Sequence, residues 1–273
     1  MPVAKFLYGI EPDDLNAPIW RFLEFWKFLD LMKGHMYFHR SDLFEENDPQ
    51  EGLPLDNYET GRHPLDINDI QDRNHDLGFD AQMRQAFYIC CWYLAGDDTA
   101  KMWHTYAPGN GVAICSTYAK LKAVLEPLPV EDKAHLGLVQ YGNKHIPPGR
   151  RNLIMNIGTK REKYKDEKEI RAMLWILDDK ETGNRNIDPD NRYHPRPLPD
   201  YPTHNPGGVW RPVNIQELLT KVIVSPFAEP TTVAEAESEL TAAGYSVPVE
   251  PSEMTSRSSF IPTAEELKRL GFL

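Results

Sequence analysis

Apolar residues in this chain come in short, dense runs separated by polar stretches rich in Pro and Gly, the pattern of strands and helices in alternation. The first run, "PIWRFLEFWKFLDLMKG", has Pro18 at a helix start, Gly34 at a helix stop, and Trp20, Leu23, Phe28 and Leu31 among its apolar positions. It predicts a buried helix, with Trp20 and Arg21 able to remain extended. "HMYFHR" then predicts a strand, and "SDLFEENDPQEG" a turn-rich loop. Residues 53–80 are polar, as in a surface excursion. Order resumes with "AFYICCW" as a strand and "DDTAKMWHTYA" as a helix, with Asp97 or Asp98 as N-cap. "GVAICST" predicts a strand, "YAKLKAVL" a helix and "LGLVQY" a strand. "EIRAMLWIL" contains helix formers, but its length suits a sheet, and an extended chain puts Glu167, Glu169 and Arg171 on one face.

Residues 178–214 are Pro-rich and predict an irregular loop, of the kind that serves as a lid or a contact surface. "KVIVSP", "TTVAEAESELTAAG" and "YSVPVE" predict a strand-helix-strand ending, with Thr231 or Thr232 capping the helix. Residues 250–273 are expected to form a peripheral tail, in which Thr263 and Glu266 make a capping box. No repeat of solenoid length is visible. The alternation predicts one α+β domain over residues 1–273, with a mixed, mainly antiparallel sheet flanked by helices.

Composition narrows the classes. With 273 residues, 41% of them hydrophobic, and six Trp, the chain can bury a substantial core. It has no apolar run of membrane-spanning length and no signal-peptide pattern at its start, so no membrane and a cytoplasmic location are expected. Cys90, Cys91 and Cys115 form neither a disulfide framework nor a zinc spacing, and no metal site is predicted from them. A net charge of -11 opposes general nucleic-acid binding. Local basic spots at Arg150-Arg151 and Lys160-Arg161 are enough to hold an anionic cofactor.

Five fragments carry a resemblance. They are Trp20-Arg21-Phe22, the loop from Phe44 to Glu51, Cys91-Trp92, Met102-Trp103-His104-Thr105-Tyr106, and Tyr164 to Arg171. Their order and spacing resemble the bacterial and phage family called domain of unknown function 2971, over roughly the first two thirds of the chain. The residues are also similar to ADP-ribosyltransferases of the Arg-Ser-Glu type, which split NAD+ at its nicotinamide bond. Departures are Tyr93 in place of the family's Ser, an extra residue between Phe44 and Asp48-Pro49, and Tyr118 at the third position of the Ser-Thr-Ser-like strand. An ADP-ribosyltransferase-like fold is what the resemblance implies. It also implies NAD+ as substrate, a protein or nucleic-acid acceptor, a toxin, effector or defence role, and an antitoxin or immunity partner.

Under that resemblance, Glu169 stabilises the oxocarbenium-like ribose left by departing nicotinamide, and Glu167 orients or deprotonates the acceptor. Arg21 or Arg40 holds the pyrophosphate, Ser116 or Thr117 steadies Glu169 or the ribose, and Trp92, Trp103 or Tyr106 stacks on nicotinamide or adenine. Taken singly, each residue has an ordinary alternative. Ser116 and Thr117 stand where a helix begins, the arginine stems cover apolar surface, the aromatics pack in the core, and Glu167, Glu169 and Arg171 form an ion-pair network. Two other classes compete. One is a metal-dependent nuclease or hydrolase gathering Asp42, Asp48, Glu51 and the Glu167-Glu169 pair around Mg2+, and the other is a non-catalytic interaction module.

Overall fold

The computed structural model describes residues 4–5, 10–46, 48, 51–53, 84–129, 132–142, 153–176, 178–179, 184–185 and 207–254. In chain order its elements begin with β1 (Ala4–Lys5), β2 (Pro18–Leu23), α1 (Phe25–Met32), β3 (His35–Arg40), β4 (Phe87–Leu94), α2 (Ala100–Tyr106) and β5 (Val112–Thr117). Next come α3 (Tyr118–Leu125), β6 (His135–Leu138), β7 (Gln140–Tyr141), α4 (Leu153–Ile157), β8 (Thr159–Lys160) and β9 (Glu169–Trp175). The last are β10 (Asp178–Asp179), β11 (Asn184–Arg185), β12 (Gly208–Pro212), α5 (Ile215–Leu218), β13 (Lys221–Val224), α6 (Thr232–Ala242) and β14 (Val249–Pro251). Short 3-10 helices cover Ser41–Glu46, Arg84–Ala86 and Glu162–Glu167.

Ten strands form one mixed, mostly antiparallel sheet flanked by helices, in the order β1-β6-β9-β4-β2-β5-β13-β14, with β3 and β12 branching from β4. Its parallel pairs are β1/β6 and β13/β14, the second closing the strand-helix-strand ending around α6. β4 changes partner along one edge. Tyr88 and Ile89 pair with β3, whereas Tyr93 and Leu94 pair with β2, so the sheet forks there.

The expected helix from Pro18 starts later, because its first six residues are strand β2. Ile19 and Leu23 enter one core cluster while Trp20 and Phe22 enter another. A strand buried on both faces reads as an unbroken apolar run, which periodicity alone cannot tell from a buried helix. The helix itself, α1, begins after Glu24.

Smaller differences have local causes. Thr99, not Asp97 or Asp98, caps α2 by accepting from Met102 N at 3.2 Å. Asp98 instead accepts from Trp103 Nε1 at 2.7 Å and from Ser252. At α6, Thr231 holds the cap position without a side-chain bond, and Thr232 is the first helical residue. "LGLVQY" divides into β6, in the main sheet, and β7, which pairs with β8. The 178–214 stretch contains the small β10/β11 pair and β12, whose Trp210 packs on Tyr37 at 4.9 Å between ring centres. The surface excursion beyond Leu53 and the tail with Thr263 and Glu266 lie outside the described residues.

Because strand residues alternate, each face of the central strands has its own character. One face carries Tyr88, Cys90, Trp92, Ile170, Ala172 and Leu174 into the main core. On the opposite face, one apolar cluster contains Tyr93 and Trp103 and another contains Ile89 and Met173. Between those two clusters, β9 and β4 place Glu169, Arg171 and Cys91, with Cys91 directly across from Arg171.

Candidate functional site

This polar seam is a buried charge cluster. Arg171 Nε donates to Glu169 Oε1 at 2.7 Å and Nη2 to Glu169 Oε2 at 3.2 Å. Its Nη1 lies 2.6 Å from Glu51 Oε1 and also donates to the carbonyl of Ile157. Lys160 stands above them, with Nζ 2.6 Å from Glu167 Oε2, 3.3 Å from Glu169 Oε2 and 3.6 Å from Glu51 Oε2. Three carboxylates from three segments thus meet two cations, leaving one negative charge in excess. Burying such groups is costly unless nearly every charge is paired, so the forked Arg171 bonds are what make the arrangement tolerable.

Tyrosines finish the edges. Tyr141 OH accepts from Glu169 N at 2.8 Å, and Tyr106 OH donates to Glu167 Oε1 at 3.3 Å. Arg161 pairs with Asp48 and reaches Tyr164 OH at 3.3 Å. Lys160, Arg161 and Lys163 all lie against the Tyr164 ring. Glu169 and Glu51 are buried, whereas Glu167 keeps 15% of its side chain exposed and Tyr106 is 41% exposed.

The electrostatics follow from this packing. Burial pushes the Glu169 carboxyl up, but Arg171 and Lys160 outweigh it and hold the group at about 2, below its ordinary 4.5. Burial likewise opposes the Lys160 charge, yet the carboxylates of Glu169, Glu51 and Glu167 keep it protonated well above the usual lysine range. The Cys91 thiol is raised well above normal by burial and then by Glu169, on which it sits. A thiol in that state is a poor nucleophile. Burial and then Glu167 also raise the Tyr106 phenol.

The residues singled out from the sequence separate into two groups. Glu169, Glu167 and Tyr106 come together. Glu167, however, does not share the β9 face: it ends a 3-10 turn, and Lys168 at φ 39° and ψ 51° breaks the extended chain between the two carboxylates. A charge-rich stretch whose only β-former is Tyr164 has little reason to extend. Both side chains nevertheless reach Lys160.

Arg21, Arg40 and Ser116 lie on the opposite face of the sheet, with Ile19, Phe38 and Ile114 as their same-face neighbours. Arg21 Nη2 donates to Tyr37 O at 3.2 Å across the fork, Arg40 is clamped on Asp42, and Ser116 Oγ donates to Leu218 O at 2.5 Å. Thr117 caps α3 by accepting from Lys120 N. Trp103 is fully buried, its ring edge-on to Phe22 at 4.8 Å. Of the acids proposed to gather around Mg2+, Asp42 and Asp48 are each paired with an arginine, and Glu51, Glu167 and Glu169 surround the Lys160 ammonium. No group of three metal-ligating side chains able to hold an ion occurs among the described residues.

Sequence reading missed Lys160, Tyr141 and Tyr164 as partners of this cluster. Only the density of charge around Lys160 signalled it, and that density does not say which cation turns inward. Four of the five fragments behind the family resemblance do contribute here, through Asp48 and Glu51, Cys91, Tyr106, and Tyr164 with Glu167 to Arg171. Comparison of the chain with protein-family models, curated proteins and solved structures returned no match.

Proposed function

We propose that the chain is an ADP-ribosyltransferase-like enzyme that cleaves NAD+ at the Glu167–Glu169 cluster and passes ADP-ribose to water or a macromolecular acceptor. One observation carries this reading. The two carboxylates of the Glu-x-Glu element share one ammonium, and the outer one also reaches a half-exposed tyrosine. Breaking the C1'–N bond sends the electron pair out with neutral nicotinamide and leaves positive charge on the ribose. A fixed, ionised carboxylate stabilises that charge as it develops. Water or an acceptor hydroxyl then adds at C1' and passes its proton to Glu167, the carboxylate open to the outside.

Glu167 is the carboxylate open enough to meet substrate, and Glu169, locked by Arg171, is a positioning residue that fixes Lys160 and through it Glu167. The excess negative charge of the cluster suits the cationic nicotinamide ring. Arg161, about a third exposed, and the exposed Lys163 are the nearby cations for the pyrophosphate. Arg21, Arg40, Ser116 and Thr117 are occupied elsewhere, so the reading rests on the carboxylates rather than on the full Arg-Ser-Glu pattern.

The test is nicotinamide release from NAD+ by the purified protein, followed chromatographically, with NAD+ binding measured by calorimetry. Glu167→Gln should lower turnover by roughly 100-fold or more while NAD+ still binds. Absence of both binding and release sinks the proposal, and Mg2+-dependent cleavage of RNA or DNA in their place would assign the cluster to a nuclease.

A further inference from the structure

The 3-10 turn Glu162–Glu167 lies over the charge cluster without burying any of its own residues. Its backbone bonds at Tyr164 N to Arg161 O and Lys168 N to Lys165 O are local. What joins it to the body is polar: Glu167 to Lys160 and to Tyr106, the Arg161–Asp48 pair at its base, and an exposed Lys101–Asp166 contact at 4.0 Å. The Lys101–Asp166 contact is exposed and holds weakly against water, and the largely shielded Glu167–Lys160 pair is the main tie, in contrast to the apolar packing that anchors β9. The turn joins β9 through Lys168, a non-glycine residue in the left-handed region. Immediately beyond it the sheet takes over, as Leu94 N donates to Lys168 O and Glu169 N to Tyr141 OH.

We infer that this turn is a hinged lid over the buried Glu51–Glu169–Arg171 cluster, with Glu167 as its latch on Lys160 and Tyr106 and Lys168 as its strained hinge. Opening breaks the Glu167 contacts, relieves the left-handed strain, uncovers Lys160 and Glu169, and further exposes Cys91, which is partly buried in the closed position. The closed position is the one described above, in which the ammonium of Lys160 covers both carboxylates. The inference concerns motion and does not depend on which reaction the cluster performs.

Cys91, partly buried and directly across from Arg171, provides the readout as an increase over its closed-state labelling, while Cys90 and Cys115 are buried in apolar clusters. Alkylation of the full chain by excess N-ethylmaleimide, mapped to Cys91 by mass spectrometry, measures opening. Glu167→Gln removes the latch charge and should speed Cys91 labelling about tenfold or more. Lys168→Gly removes the left-handed penalty from the closed position and should slow it about fivefold. Urea unfolding of each variant separates lid opening from global unfolding, since a change in rate that merely follows global stability counts against a lid. Equal rates in all three proteins, or acceleration by both substitutions, would overturn the inference. NAD+ cleavage plays no part in the readout, so failure here and failure of the proposed reaction are distinguishable.

Discussion

Arg171 is the residue on which the buried cluster depends. Its guanidinium binds Glu169 through two nitrogens and pairs with Glu51, so truncation strands two carboxylates with only Lys160 for compensation. Arg171→Met should cost about 3–5 kcal/mol in urea unfolding, the range for breaking a buried ion pair from one side. Glu169 adds a pH dependence of definite sign. Its folded pKa is depressed to about 2 from 4.5, so the stability it contributes is fully present above the unfolded value and is lost as pH falls through the folded one. The contribution is on the order of 3 kcal/mol. Stability of the native chain should therefore fall more steeply between about pH 4.5 and 2 than that of Glu169→Gln. Parallel acid-unfolding curves would show that the carboxyl is not held ionised in this way.

Among the elements, α3 and the loop bearing Glu51 make separable predictions. Thr117→Ala removes the cap on Lys120 N and should destabilise by about 1 kcal/mol in thermal unfolding. It should leave nicotinamide release unchanged, since the hydroxyl serves the helix. Gly52, next to Glu51, has φ +72°, and a Cβ there would come within 2.7 Å of Ile157 Cδ1. Gly52→Ala therefore combines left-handed strain with a clash against the segment that also receives Arg171. A loss of about 2 kcal/mol or more is expected, with reduced turnover as Glu51 shifts from Arg171. Unchanged stability and activity would show that this loop does not support the cluster. The element-level reading from sequence succeeded for β3, β4, β5, α3 and the final strand-helix-strand unit, where β-formers or caps agree with the tertiary context. At β2 it reached only Trp20 and Arg21 as extended residues and took the rest for helix, because this apolar run looks the same as a helix until two neighbouring strands supply its hydrogen bonds.

At the scale of the whole molecule, the fork in the sheet separates two uses of arginine. Arg21 spans the divergence of β2 from β3 by donating to Tyr37 O, with its side chain on the face away from Glu169. Arg21→Met should lower stability by about 1 kcal/mol while leaving NAD+ affinity within about threefold of the native value, since the partly buried bond it loses is structural. Loss of NAD+ binding with stability intact would restore Arg21 to the pyrophosphate and contradict the placement of the site at Lys160. Among the described residues, no helix is long and apolar enough to cross a membrane.

The order of most strands and helices and the α+β class follow from local apolar patterning and turn residues along the chain, and the net negative charge from composition. Glu169 and Arg171 were also legible as a pair, since period-two spacing in a strand places them on one face. Which face that would be, and what else would stand on it, depended on sheet order. Only the pairing of β9 with β4, together with the positions of β8 and the Glu51 loop, brings Lys160, Glu51 and Cys91 around Glu169 and Arg171. The same sheet order sends Ser116, Arg21 and Arg40 to the opposite face. Contacts between residues distant in the chain reward only the complete fold, so the spacing of fragments can show that chemistry-bearing residues are present without showing which of them meet.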